Sequence, residues 1–253
     1  MFLHKKSASL AFVIASFGFP IWAFAMENVS ETSDAASSSE EFGIPEPLVF
    51  DMVRPLGSPK GEMEVNAFLN QSTHGGPLQW SPELEYSFAD GYAVELQLPY
   101  ENSQLGEYQV AMQGTLPPLL QGKMVQGIQG IARKTHRANS HSADLLYLNG
   151  IRFSEKWSTM NMVGARRTSF DGDGEMRGLL NSAWFYHVTS NFILGVEVNN
   201  EIHRKNNWHY RLTPQIHYSF DDNKAVQFGI GPSTLNEQKK VEKMMALRFV
   251  YSF

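Results

Sequence analysis

Residues 243–253 read KMMALRFVYSF, and this stretch decides the fold. Met245, Leu247, Phe249, Tyr251 and Phe253 fall at every second position, so in a strand they share one face, while Met244, Ala246, Arg248, Val250 and Ser252 share the other. The first face suits lipid. The second carries a guanidinium.

The same grammar recurs upstream. Met63, Val65, Ala67 and Leu69 alternate with Glu62, Glu64 and Asn66; Trp80, Leu84, Tyr86 and Phe88 alternate with Ser81, Glu83, Glu85 and Ser87. A tight Ala89-Asp90-Gly91 turn then leads into Tyr92, Val94, Leu96 and Leu98, which alternate with Ala93, Glu95 and Gln97, the clearest hairpin in the chain. Tyr108 to Leu116 forms a fourth alternation, which Pro117-Pro118 is expected to end in a turn. Segments 123–132, 143–153, 157–168 and 177–188 have strand length, but their faces are ambiguous. Clean alternation returns through 192–198, 208–218 and 225–231. The count is twelve, an even number, and the expected fold is all-β: one antiparallel transmembrane barrel closed by the strand ending in Phe253.

The connections support this. SFADGY (87–92), RFSEKW (152–157), VTSNF (188–192) and SFDDNKA (219–225) are short, whereas the links near 71–78, 133–142, 169–176, 202–207 and 232–242 are generally longer. That asymmetry fits periplasmic turns and extracellular loops. Tyr86, Tyr92, Phe153, Trp157, Phe192 and Tyr218 cluster beside the short turns, where a membrane-interface girdle belongs. A soluble periplasmic sandwich or lipocalin-like barrel uses similar strands and is the competing architecture.

Composition bounds the rest. The chain has 253 residues, of which 19% are charged, and a net charge of −5, which gives no footprint for nucleic acid. Lys5 and Lys6, the apolar run 10–24 and Ala23-Phe24-Ala25 read as a signal peptide at 1–25, cleaved near Ala25, which sends the mature chain from Met26 toward the outer membrane of a Gram-negative cell. With no cysteine, neither a disulfide framework nor a lipidated cysteine is available. Residues 26–61 are rich in Ser, Glu and Pro without periodicity and read as a periplasmic lead. The alternative is a lumen plug, for which Phe42, Leu48, Val49 and Phe50 are the packing residues. The barrel is then 62–253.

If the apolar faces meet lipid, the others line a lumen. Glu64, Glu83, Glu85 and Glu95 form an acidic wall, and Arg211, His217 and Arg248 stand on later strands. Closure puts the first strand beside the twelfth, so Glu62 or Glu64 is expected to reach Arg248. Such a wall can select small solutes by charge, or its members can pair and fill the interior. No cofactor or metal is expected: His209 and His217 lie too far apart on a strand, and loop pairs such as His203 with His209 lack a third ligand at suitable spacing. Asp171-Gly172-Asp173-Gly174-Glu175 departs from a calcium loop, with Met176 where Gly is needed. Ser140, His141, Ser142 and Asp144 are the local candidates for rim hydrolysis, but adjacent positions point to opposite faces, and an enzyme is not expected.

The closing strand resembles the last strand of Gram-negative outer-membrane barrels, a resemblance that implies recognition of Phe249, Tyr251 and Phe253 by the barrel-assembly machinery and contact with outer-membrane lipid. RPLGSPKGEMEVNAF (54–68) and PELEYSFADGYAVELQLPYE (82–101) are similar to the opening of a barrel family named after the phenol-degradation meta pathway and of related transporter-like barrels. Glu83, Leu84, Glu85, Tyr86, Asp90, Glu95, Leu96, Leu98, Pro99 and Tyr100 carry the likeness, whereas Leu105-Gly106-Glu107-Tyr108 matches only part of the Gly-rich stretch usual there. The resemblance implies a channel or transporter and leaves the solute open.

Overall fold

The computed structural model describes residues 43–50, 52–138, 140–204, 207–235 and 240–253. The expected signal peptide, the first part of the lead and Phe42 lie outside the described residues.

Twelve long strands follow one another: β1 (Met63–Ser72), β2 (Gln79–Ala89), β3 (Tyr92–Gln97), β4 (Glu107–Leu119), β5 (Met124–Thr135), β6 (His141–Arg152), β7 (Trp157–Arg167), β8 (Met176–His187), β9 (Phe192–His203), β10 (Asn207–Ser219), β11 (Lys224–Ser233) and β12 (Glu242–Ser252). Each pairs antiparallel with the next, and β12 pairs back onto β1 from Glu64 opposite Ser252 to Ser72 opposite Met244. The sheet is therefore a closed barrel, with no free edge to template aggregation. Two further strands, Tyr100–Glu101 and Gln104–Leu105, make a small ribbon in the β3–β4 connection.

The alternation resolves as expected over most of the circumference. On β12, Phe249 and Tyr251 are exposed, while Ala246 and Arg248 are buried. Leu84, Tyr86, Val94 and Leu96 likewise face out, and Glu83, Glu85 and Glu95 face in. This is the inverse of a soluble barrel, and it fits a lipid exterior.

Two expectations are corrected. Pro117-Pro118 does not make the turn: β4 runs through both prolines, with its register against β5 shifting between Leu116 and Leu119, and the chain reverses at 120–122. Loss of two ladder donors is tolerated here because it falls at a strand end. More consequentially, the lead at 26–61 is not a spacer throughout, because its described residues between Ile44 and Ser58 pack inside the barrel. Leu48, Phe50, Met52, Val53 and Arg54 are all buried.

The inner wall explains why. On β5 to β8 the inward residues include Ile131, Leu146, Leu148, Met160, Met162, Leu179, Ala183 and Phe185 besides the polar Gln129, Asp144 and Asn181, and Phe50, Met52 and Val53 join the apolar ones in one core, with Ile44 and Leu56 packed against it. An apolar patch thus lies on this sector of the lumen wall, and the plug covers it. Glycines make the room: a Cβ at Gly127 would stand 2.5 Å from Leu56, and one at Gly150 would stand 2.8 Å from Ile44.

Candidate functional site: a plugged lumen

The plug is a re-entrant loop that enters and leaves at the short-turn end. Ile44 lies beside Gly150, near the end of β6. The tip is clasped at mid-height, where the backbone N–H groups of Val49 and Phe50 donate to the two oxygens of Glu197 at 3.0 and 2.7 Å. The N–H of Val53 donates to Gln129 at 3.3 Å; Glu197 and Gln129 are each the sixth residue of a twelve-residue strand. The chain then descends: Gly57 N–H donates to Thr115 at 2.9 Å, the Ser58 and Ser87 hydroxyls share a hydrogen bond at 2.9 Å, and Gly91 N–H donates to the Ser58 carbonyl at 2.9 Å. A segment without helix or sheet thus finds partners for its backbone inside the barrel, as burial demands.

Arg54 anchors the descending limb against the acidic wall. Its guanidinium bonds Glu64, bonds Glu62 at 2.8 Å and stands 3.9 Å from Glu85. Glu62 and Glu64 are therefore engaged by Arg54, where the sequence suggested Arg248. Arg248 instead donates to the Pro47 carbonyl at 3.3 Å and lies 5.6 Å from the centre of the Phe68 ring. Both cations on this side hold the plug.

The other expected lumen residues all face inward. Glu85 accepts from Asn66 at 2.6 Å, Glu83 from Gln97 at 2.5 Å and Glu95 from Gln109 at 3.2 Å. Arg211 donates to Asn70 at 2.9 Å and Thr213 at 3.1 Å, and His217 packs edge-on against Phe185. Spacing brought the carboxylates to one wall, because β1 to β4 are adjacent and carry no basic residue. What the sequence reading missed is Arg54 and Glu197. Glu197 had a visible signal, a lone carboxylate on the inner face of FILGVEVN (192–199).

Toward the long-loop end a network of ion pairs crosses β4 to β9. Arg133 lies 3.8 Å from Glu107 and 2.9 Å from Asp144; Arg166 grips Asp144 at 2.8 and 2.9 Å; Arg177 bonds Glu201 and Glu175, each at 2.7 Å. Asp144 is thereby committed inward. His141 pairs with Asp171 at 3.0 Å, and Ser140 shares a hydrogen bond with Ser169 at 3.0 Å, so the four rim candidates do not converge on one another. His203 and His209 do come together, with ring centres 4.3 Å apart. Glu201 and Glu175 face His203, and among the described residues no group of three or more His, Asp or Glu could hold a metal ion.

Val49, in the tip, borders two cavities. One, of about 720 Å³, reaches Glu83, Gln97, Gln109 and Arg248; the other, of about 170 Å³, lies between Phe50 and the Arg133–Asp144–Arg166 cluster. At the opposite end a cavity of about 460 Å³ lies between 54–59 and the β10–β11 turn. The plug stands between the two ends.

Fold and site together define an outer-membrane type of β-barrel whose lumen is occupied by its own N-terminal segment. The fold is shared with an outer membrane channel from Pseudomonas putida F1 (TM-score 0.63, 13% identity, covering 81% of this chain and all of that one). It is shared also with the KdgM porin (TM-score 0.59, 8% identity, 75% and 99% covered) and the NanC porin (0.58, 8%, 75% and 98%). No protein-family model matches the sequence, and no curated protein matches it.

Proposed function

We propose that this chain is a narrow passive channel of the outer membrane for small hydrophilic solutes, with residues 43–60 as an internal plug. The observation that carries this reading is the pair of polar vestibules, about 720 and 460 Å³, one bordered by the plug's tip at Val49 and the other by its descending limb at Arg54 to Pro59. The fold shared with porins supports it. The likeness of 54–68 and 82–101 to the phenol-degradation meta-pathway barrels supports a transporter-like role without fixing the solute.

The larger vestibule meets Glu83, Glu101 and Glu107 but only one guanidinium, that of Arg248. Low-dielectric walls focus that field, so the channel favours cations and neutral polar solutes. One KdgM structure is described as a complex with oligogalacturonate, a polyanion; the acidic wall here argues against such a solute. The signal peptide ending near Ala25, assembly through Phe249, Tyr251 and Phe253, and lipid contact at the exposed apolar face complete the reading.

The test is planar-bilayer conductance of the refolded mature protein under a salt gradient. Discrete steps with a cation-selective reversal potential, reduced by Glu83→Lys, are expected. A heat-modifiable barrel that inserts and never conducts, even with the tip freed by Glu197→Ala, would overturn the channel and leave a structural barrel.

A further inference from the structure

The outward residues of β1 to β4 and β9 to β12 are apolar away from the strand ends, apart from Asn200 near the loop end of β9. One sector departs from this. There β5 to β8 turn Gln126, Asn149, Asn161 and Ser182 outward, because their neighbours Leu148, Met160, Met162 and Ala183 face the lumen. Cross-strand register puts the four in one row: Gln126 opposite Asn149, Asn149 opposite Asn161, Asn161 opposite Ser182.

Three of the four are hydrogen-bonded to one another, and the Gln126 amide nitrogen donates instead to the Pro117 carbonyl at 2.8 Å. Asn161 Nδ2 donates to Asn149 Oδ1 at 3.2 Å, Ser182 Oγ donates to Asn161 Oδ1 at 2.7 Å, and the Tyr147 hydroxyl donates to Gln126 Oε1 at 2.7 Å. The Asn149 amide nitrogen makes no hydrogen bond among the described residues. Leu145, Val163 and Leu180 are exposed on the loop side of the row, and Trp157 and Trp184 on the turn side. The row therefore lies within the hydrocarbon band, where an amide finds neither water nor a lipid partner. Toward the loop end Gly130, Ala132 and Ala143 border an open groove on the outer face, with Val94, Val110 and Met112 across it.

We propose that this sector is the contact between two copies of the barrel, side by side in the membrane. Depth selects the partner. Barrels of one sequence insert in one direction and to one level, so a second copy brings its own row to the same height, and amide meets amide, each with donor and acceptor. Small residues farther along the same strands, Gly130, Ala132 and Ala143, let the two walls approach closely, the pairing of small side chains and amide hydrogen bonds that joins proteins in lipid. The proposal is independent of conduction, since every residue it uses faces away from the lumen.

The chain has no cysteine, so a single introduced thiol reports its own neighbourhood. Full-length mature protein carrying Leu145→Cys is reconstituted in phosphatidylcholine liposomes at low protein density and oxidised with copper-phenanthroline in air. Disulfide-linked dimer is expected for Leu145→Cys, and little for Met245→Cys on β12, six strands away and exposed at a similar distance from the loop end. Adding Asn149→Leu and Asn161→Leu to Leu145→Cys should cut the dimer roughly tenfold while the barrel stays heat-modifiable. Equal cross-linking at the two cysteines, or no response to the leucines, would overturn the proposal and show lipid covering the row. Should the double variant fail to fold, Asn149→Val alone is read in the same way.

Discussion

Phe50 is held to Glu197 through its backbone: its N–H donates to one carboxylate oxygen at 2.7 Å, while Val49 uses the other at 3.0 Å. The clasp ignores side-chain identity at the tip and depends on one buried carboxylate. Hydrogen bonds to a charged acceptor are worth roughly 1.5–3 kcal/mol each. Glu197→Ala should therefore free the tip by at least about tenfold in population, raising bilayer current, with Glu197→Gln between it and the parent. Current unchanged by Glu197→Ala would show that the tip is held by packing alone.

Arg54 faces three carboxylates inside the barrel, Glu62, Glu64 and Glu85. Removing the cation leaves those charges uncompensated, a change that costs about 3–5 kcal/mol where a buried pair is broken. Arg54→Met should lower the temperature at which the folded band disappears in unboiled gels. Adding Glu64→Gln should restore part of the loss, and simple additivity of the two changes would argue against the coupling.

Phe185 is fully buried between the wall and the plug, whereas Phe249 is exposed on the lipid face. Phe185→Ala should destabilise the refolded barrel by about 3–5 kcal/mol, the usual result of emptying an aromatic site in a core. Phe249→Ala should leave thermal unfolding of the refolded barrel nearly unchanged yet reduce the amount assembled in cells, if the closing strand is the assembly signal. Equal thermal losses for both would contradict the lumen and lipid assignments.

In the β7–β8 loop, hydrogen bonds from the His141 ring and backbone hold the Asp171 carboxyl below its ordinary range. A carboxylate lowered in the folded state contributes above its unfolded pKa, and that contribution fades as pH falls through the lowered value. The His141 amide, which donates to Asp171 at 3.1 Å, should therefore lose hydrogen-exchange protection only below roughly pH 4. Asp171→Asn should abolish that acid step; protection lost near neutrality would indicate a different cause.

The barrel was legible in the sequence where chemistry and face agree. On β2, β3 and β12 the face that carries the aromatic and leucine side chains looks out, so period alone gave strand, face and closure. It was ambiguous on β5 to β8, and the reason is now physical. Those strands put Leu146, Leu148, Met160, Met162 and Phe185 inside, against the plug, while Asn149, Asn161 and Ser182 look out. Neither face there is uniformly apolar. The plug itself was hidden for a related reason: 43–60 has no repeat, since its contacts are irregular backbone bonds to the wall, and Phe42, Leu48, Val49 and Phe50 were its only signal. The acidic wall was readable because like charges fall on consecutive strands; the Arg54 pairing was not, since it depends on a segment read as a spacer.

The apolar wall of β5 to β8 also bears on what an open state could be. Were residues 43–60 to leave altogether, Ile131, Leu148, Met160 and Phe185 would be wetted, at about 25 cal/mol for each Å² uncovered. An emptied tube is thus a high-energy form of this barrel. A tip that swings from Glu197 while Met52 and Val53 stay seated exposes far less, so the economical aperture is a crevice along the acidic side, shaped on one flank by the chain's own leading segment.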